Sequence, residues 1–399
     1  MSALRSVARA LGSLASLVAL GGCGSDPVKA EATWTPSPEA AATAAAIGRG
    51  DGSSGSVRFE VVFDASDSAG VPLEPTGLAW HGLNADELWV VLRFGPDSRT
   101  CNNGEGPCPW LEGHVAIVSG AGTAEPSVEM KVDANSWHFM RRPTGIAWGA
   151  GQLFATCSEA RTGNYEDEEA PYIGPTLWTA DPTIFAVPPG PGENGTHIDM
   201  LHNTPFCMGI AHEADNVYWL FNGDAGSLDR YDFHEPHGPG GEDHADGEFW
   251  RYVAGEVLRL PEVPAGMVYD AASRLLYVSD AGHSRVVALD TASGAATGEV
   301  MSWDNLRTRA LVTGARLLEV VPSGDVPQPS GLALVDGVLF VADRFTGVIA
   351  AYDVAARRLI RSLDTGLGGG ALTALSYGPD GKLYFSDVRG GRVLRIEPD

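Results

Sequence analysis

The sequence predicts an all-β fold: a six-bladed β-propeller whose last blade is completed by a strand from the N-terminal side of the repeats. Three observations carry this expectation. A strand-opening phrase built on Pro-x-Gly recurs along the chain, four times closely and twice loosely. The 50 glycines and 26 prolines among 399 residues make roughly one position in five, against a background near 12 %. That excess suits many short strands joined by turns and suits long helices poorly. Finally, the sixth copy runs out of chain one strand early, while an unassigned strand-like segment precedes the first. The hydrophobic fraction of 44 % supplies a core and excludes wholesale disorder. With 27 basic against 51 acidic residues and a net charge of −24, a phosphate backbone is repelled, so no nucleic-acid partner is expected.

In chain order, residues 1–22 read as an export signal. Arg5 and Arg9 form its positive end, and Ala10 to Leu20 its apolar run. The run closes on Leu20-Gly21-Gly22-Cys23, which resembles the lipobox of bacterial lipoproteins and implies lipidation of Cys23. The competing reading is a secreted protein cut later, after Ala30-Glu31-Ala32. Lipidation places the protein in the bacterial cell envelope, on the extracytoplasmic side, with the anchor as its only membrane contact. Residues 23–56, rich in Ala, Ser, Gly and Pro, read as a flexible tether. The four remaining cysteines in an oxidising compartment favour two disulfides, Cys101–Cys108 and Cys157–Cys207, with a metal-thiolate site as the rival.

The propeller is expected over 57–399. Its markers are Pro75-Thr76-Gly77-Leu78-Ala79, Pro143-Thr144-Gly145-Ile146-Ala147, Cys207-Met208-Gly209-Ile210-Ala211, Pro264-Ala265-Gly266-Met267-Val268, Pro329-Ser330-Gly331-Leu332-Ala333 and Leu372-Thr373-Ala374-Leu375-Ser376. The intervals are 68, 64, 57, 65 and 43 residues; the shortest is close to one bare four-stranded unit, and the others carry insertions. Each marker is followed by a β-branched or aromatic second strand, such as Leu275-Leu276-Tyr277-Val278-Ser279, and then a third, such as Arg285 to Asp290. The sixth copy ends after its third strand, Arg392 to Ile396. The orphan strand Val57 to Phe63 is expected to pair there, leaving no open edge. A seventh blade has no marker.

The phrase from Pro264 through Leu276-Tyr277-Val278-Ser279-Asp280 to Ser284-Arg285-Val286 resembles the NHL repeat of β-propellers. Among propeller enzymes the amidating lyases are similar in fold; their zinc histidines follow the blade-opening proline, where this chain has Thr76, Thr144, Ala265 and Ser330. Lactonases similar to regucalcin share the blade phrase but favour Asn at the position of Ser330. The residues do not carry either enzyme's motif across. The Gly-x-Ser-x-Gly nucleophile elbow, the P-loop and the His-Glu-x-x-His pattern are absent from the sequence as well.

Alternate links of a propeller emerge on opposite faces, which sorts the candidates. The links between second and third strands place Asp224, Asp280, His283, Asp343, Arg344, Asp387 and Arg389 on one axial face. The links leading into blades 2 and 3 add His138, Arg141, Arg142 and His202. His138 and His202 each stand five residues before a marker, and with Asp224 and His283 they are a candidate metal set. The alternative is that the histidines cap backbone groups. The opposite face receives residues 234–248, whose His234, His237, Asp243, His244 and Asp246 suit calcium, zinc or copper, or simply a solvated acidic loop. The acidic run 166–169 reads as a solvated insertion. Together these features predict a monomeric binding module that takes a small molecule or a protein on its axial face. The alternative is a metal-dependent lyase or hydrolase at the channel.

Overall fold

Short runs of β-branched and aromatic residues pair antiparallel into blades, each sheet built outward from the strand that carries the marker. The computed structural model describes residues 34–65, 73–94, 112–163, 172–187 and 194–398. Cys23, the Cys101–Cys108 pair and the acidic run 166–169 lie outside them. The chain divides into two units, Met1–Thr35 and Pro36–Asp399, and all six blades belong to the second.

Blade 1 runs Leu73–Trp80, Glu87–Phe94, His114–Ser119 and Ser127–Lys131, and blade 2 runs Pro143–Trp148, Leu153–Ser158, Thr176–Thr179 and Asp199–Met200. Cys207–Ala214, Val217–Asn222, Ser227–Asp232 and Glu248–Tyr252 make blade 3. Met267–Asp270, Leu275–Asp280, Arg285–Asp290 and Arg316–Val321 make blade 4. Blade 5 is Pro329–Val335, Val338–Asp343, Val348–Asp353 and Arg358–Asp364. An insertion in blade 4, Ala295–Glu299 and Thr308–Thr313, adds a hairpin to the outer edge of blade 3, Thr308–Thr313 running parallel to Glu248–Tyr252. In blade 6, Leu372–Tyr377, Leu383–Asp387 and Arg392–Pro398 are joined by Val57–Asp64, which pairs antiparallel with Arg392–Pro398. The strand missing from the sixth copy is therefore supplied by the start of the propeller, and the ring closes as the repeats imply.

The marker explains itself in the packing. The six inner strands neighbour one another around the axis. A Cβ at Gly331 would collide with the backbone nitrogen of Leu375 in the next blade, and one at Gly266 with that of Leu332. The residue at the marker's second position binds blades together: the Thr76 hydroxyl donates to Pro143 O, Thr144 to Cys207 O and Thr373 to Pro75 O, each at 2.8 Å. The last of these joins the sixth blade to the first. Where blade 4 has Ala265, Ser279 donates instead, to Ser330 O at 2.6 Å. Each such bond contributes about 1 kcal/mol. The Cys157–Cys207 disulfide links blades 2 and 3 with Cα atoms 5.7 Å apart.

One expectation is corrected. Residues 36–56, read as part of a flexible tether, are packed on the propeller. Ser37 caps a short helix, Pro38–Ala44, by accepting from Ala40 N at 3.1 Å. Ala40, Ala44 and Ile47, spaced for one helical face, enter the core shared by blades 5 and 6 beside Val338, Phe340 and Phe385. An alanine-rich composition that looks like a linker also makes a small-residue stripe, and here the stripe is buried.

Candidate functional site

The three aspartates at the ends of second strands serve their own blades. Asp280 accepts from Leu258 N at 2.9 Å and from Arg285 and His283 at 2.8 Å. Asp343 accepts from Gln328 N and Phe345 N, both at 3.0 Å, and Asp387 from Gly390 N at 3.0 Å. These carboxylates cap links and turns. Asp224 lies 3.6 Å from Arg161. Arg344 reaches Leu372 O at 3.4 Å, and burial pulls its pKa down. Arg389 reaches Gly369 O at 3.2 Å.

The mouth of the channel on this face is crossed by an ion-pair network that the sequence did not reveal. Arg93 in blade 1 is 1 % exposed and donates to Glu74 (3.0 Å), to Glu159 after the second strand of blade 2 (3.1 Å) and to Glu262 (3.0 Å). Burial alone would lower its pKa, but the three carboxylates reverse the shift and raise it. Glu262 belongs to the link into blade 4, which stands opposite blade 1 in a ring of six, so the Arg93–Glu262 pair spans the axis. Glu262 also pairs with Arg142, and Arg259 reaches Glu159 at 3.3 Å. Both ends of the Arg142–Glu262 pair hold left-handed backbone, with φ of 50° and 66°. Below the mouth the marker residues line a small pocket of about 60 Å³ on the axis.

A larger cavity, about 580 Å³, lies beside the outer strand of blade 2. The helix Ser136–Phe139 brings Trp137, His138 and Phe139 to its wall. Tyr172, His197 and Met200 come from blade 2, His202 from the link into blade 3, and Glu242 and His244 from the long loop of blade 3. Phe139 stacks on His197 with centroids 3.7 Å apart, and Tyr172 on His202 at 3.9 Å. Burial pulls the His138 imidazole down to about 4, helped by nearby His202 and Arg141. It pulls His197 down to about 3, helped by His237. Both rings are neutral at pH 7. His138 Nδ1 lies 2.8 Å from Gly163 O. Asp304 holds His202 twice, accepting from its backbone N at 2.6 Å and facing its Nδ1 at 2.7 Å. His202 Nε2 is buried with no hydrogen-bond partner among the described residues.

The two candidate sets are rearranged. His138 and His202 do share a cavity, but Asp224 and His283 pair elsewhere, so that foursome is not assembled. His244, sorted onto the opposite face, lines the same cavity as His138 and His202. The reason is that Asp199–Met200 spans only two residues, about 7 Å of strand, so loops from its two ends meet. The ligating residues of 234–248 divide between two donor groups, His237 and His244 with Asp199, and His234 and Glu248 with Asp232. Asp243 and Asp246 instead accept from Ala245 N (3.2 Å) and Glu235 N (3.1 Å) within the loop. His197, Asp199 and Asp304 were missed by sequence reading; the alternation Thr196-His197-Ile198-Asp199 is the one local signal of a strand there.

No protein-family model and no curated protein sequence matches the chain. Solved structures similar to it include a structural-genomics protein of unknown function from Bacteroides thetaiotaomicron, 12 % identical over 86 % of this chain and 76 % of that one, with a TM-score of 0.49. An auxiliary nutrient binding protein from the same organism is 10 % identical over 85 % and 76 %, with a TM-score of 0.47. A catalytically inactive virginiamycin B lyase from Staphylococcus aureus with quinupristin is 9 % identical over 86 % and 99 %, with a TM-score of 0.45. At such identities the site has to be read from this chain's own residues.

Proposed function

We propose that the protein is a lipid-anchored binding propeller of the bacterial cell envelope, and that its ligand is a small neutral or cationic molecule bearing a flat ring. The observation that carries the reading is the contrast of two cavities. The axial one holds about 60 Å³ beneath a bridged mouth, whereas the one beside blade 2 holds about 580 Å³, within the roughly 300–1,000 Å³ typical of small-molecule sites. Its walls present aromatic and imidazole rings for stacking, and the unpartnered His202 Nε2 supplies a directional contact. The neutral rings of His138 and His197 and a chain charge of −24 disfavour anions. The binding region thus moves from the axial opening to the flank of blade 2. Fold by itself grants no chemistry, so binding stands ahead of catalysis.

Thermal-shift screening of neutral, cationic and anionic ring compounds tests the ligand class. Hits should come from the first two groups, and Phe139→Ala or His202→Ala should weaken them tenfold or more. Hits that ignore both changes but vanish in Arg344→Ala and Arg389→Ala would return the site to the axial face. For the anchor, Cys23→Ser should release exported protein from membranes; a variant as membrane-bound as wild type refutes lipidation.

A further inference from the structure

We propose that Asp199, His237 and His244 form a binding site for a first-row divalent transition metal of the zinc class. A donor atom from each lies within 4.8 Å of the others. Asp199 is fully buried; its Oδ1 accepts from Met200 N at 2.7 Å and faces His244 Nδ1 at 2.9 Å, while Oδ2 has no partner among the described residues. His237 Nε2 is also buried without one. Buried oxygen and nitrogen atoms are almost always satisfied, because an unmatched one forfeits its hydration. Two such atoms in one cluster of ligating side chains point to a shared occupant.

The donor set selects the class. Two imidazoles and one carboxylate suit zinc and its neighbours, whereas calcium takes six to eight oxygens. Metal–donor distances near 2.0–2.1 Å place tetrahedral donors about 3.4 Å apart, so the site closes on binding. His237 can supply the movement: Gly238, Gly240 and Gly241 follow it, and a Cβ at Gly241 would stand 2.8 Å from its Nδ1. Three protein donors leave a coordination position open, and His244 places it beside the cavity. The second donor group is less apt, because none of Asp232, His234 and Glu248 is fully buried, whereas Asp199 is. The metal site stands whether or not an organic ligand occupies the cavity.

The test uses full-length protein stripped with chelator, titrated calorimetrically with zinc alone and with calcium alone, and by visible absorption with cobalt(II). Wild type should bind one zinc per chain, ignore calcium at the same concentration and give a cobalt band. His244→Ala should weaken zinc binding at least a hundredfold and His237→Ala at least tenfold, with His234→Ala unchanged. Thermal midpoints identify any variant that fails to fold; should His244→Ala do so, His237→Ala on the loop decides. Zinc-free wild type, or binding that survives His237→Ala, overturns the proposal. So does binding lost in His234→Ala alone.

Discussion

The channel mouth and the cavity beside blade 2 both gather ionisable side chains, and they treat them in opposite ways. At the mouth, Arg93 meets three carboxylates and Glu262 meets two guanidiniums, so charge is answered by charge. Beside blade 2, burial keeps His138 and His197 neutral, and Asp199 Oδ2 and His202 Nε2 are left unmatched among the described residues. The charges at the mouth tie neighbouring blades together, whereas the cluster beside blade 2 has bonds still to make. The difference is what favours the cavity beside blade 2 over the axial opening in the proposed binding role.

Breaking the mouth should have the largest effect. Arg93→Ala strands Glu74, Glu159 and Glu262 around a buried gap and should cost about 3–5 kcal/mol in urea unfolding; a loss below 1 kcal/mol would mean the network is ornamental. Acid should act on the cavity more gently. His138 titrates near 4 in the folded state and near 6.5 when unfolded, so the unfolded chain takes its proton first as pH falls. His138 leaves stability unaffected above about pH 6.5 and lowers it as pH falls toward 4, by roughly 3 kcal/mol in all. His138→Gln should remove that part of the acid sensitivity; equal losses in variant and wild type would show that the ring is not held neutral. Smallest is Asp199→Asn in metal-free protein, expected within about 1 kcal/mol of wild type, because it removes a buried charge with little change of shape. A loss as large as that of Arg93→Ala would erase the distinction between the two regions.

The ring was legible because repetition exposes it. Gly266 and Gly331 recur for one steric reason, and the arithmetic of strands left Val57–Asp64 a single place to go. Cys157 and Cys207 are the two cysteines left once Cys101 and Cys108 are read as a close pair, and the structure joins them between neighbouring blades. The network at the mouth was hidden, as Arg93 and Glu262 come from opposite blades and no local pattern relates them. The cavity was half visible: the matching offsets of His138 and His202 pointed to it, but sorting loops by face failed where a strand shrinks to Asp199–Met200. The helix Pro38–Ala44 was missed because composition was read there instead of spacing.

The pairing of Val57–Asp64 with Arg392–Pro398 also sets an order of events. During synthesis the first propeller strand emerges long before its partner, and it waits with an unpaired edge until nearly the whole chain has followed. Contacts so distant along the chain form slowly, since their loop must close before they give any return. Ring closure is therefore expected to limit the folding rate, and a chain truncated before Arg392 should stay an open arc that seeks other edges. The propeller's first strand is the last to find its place.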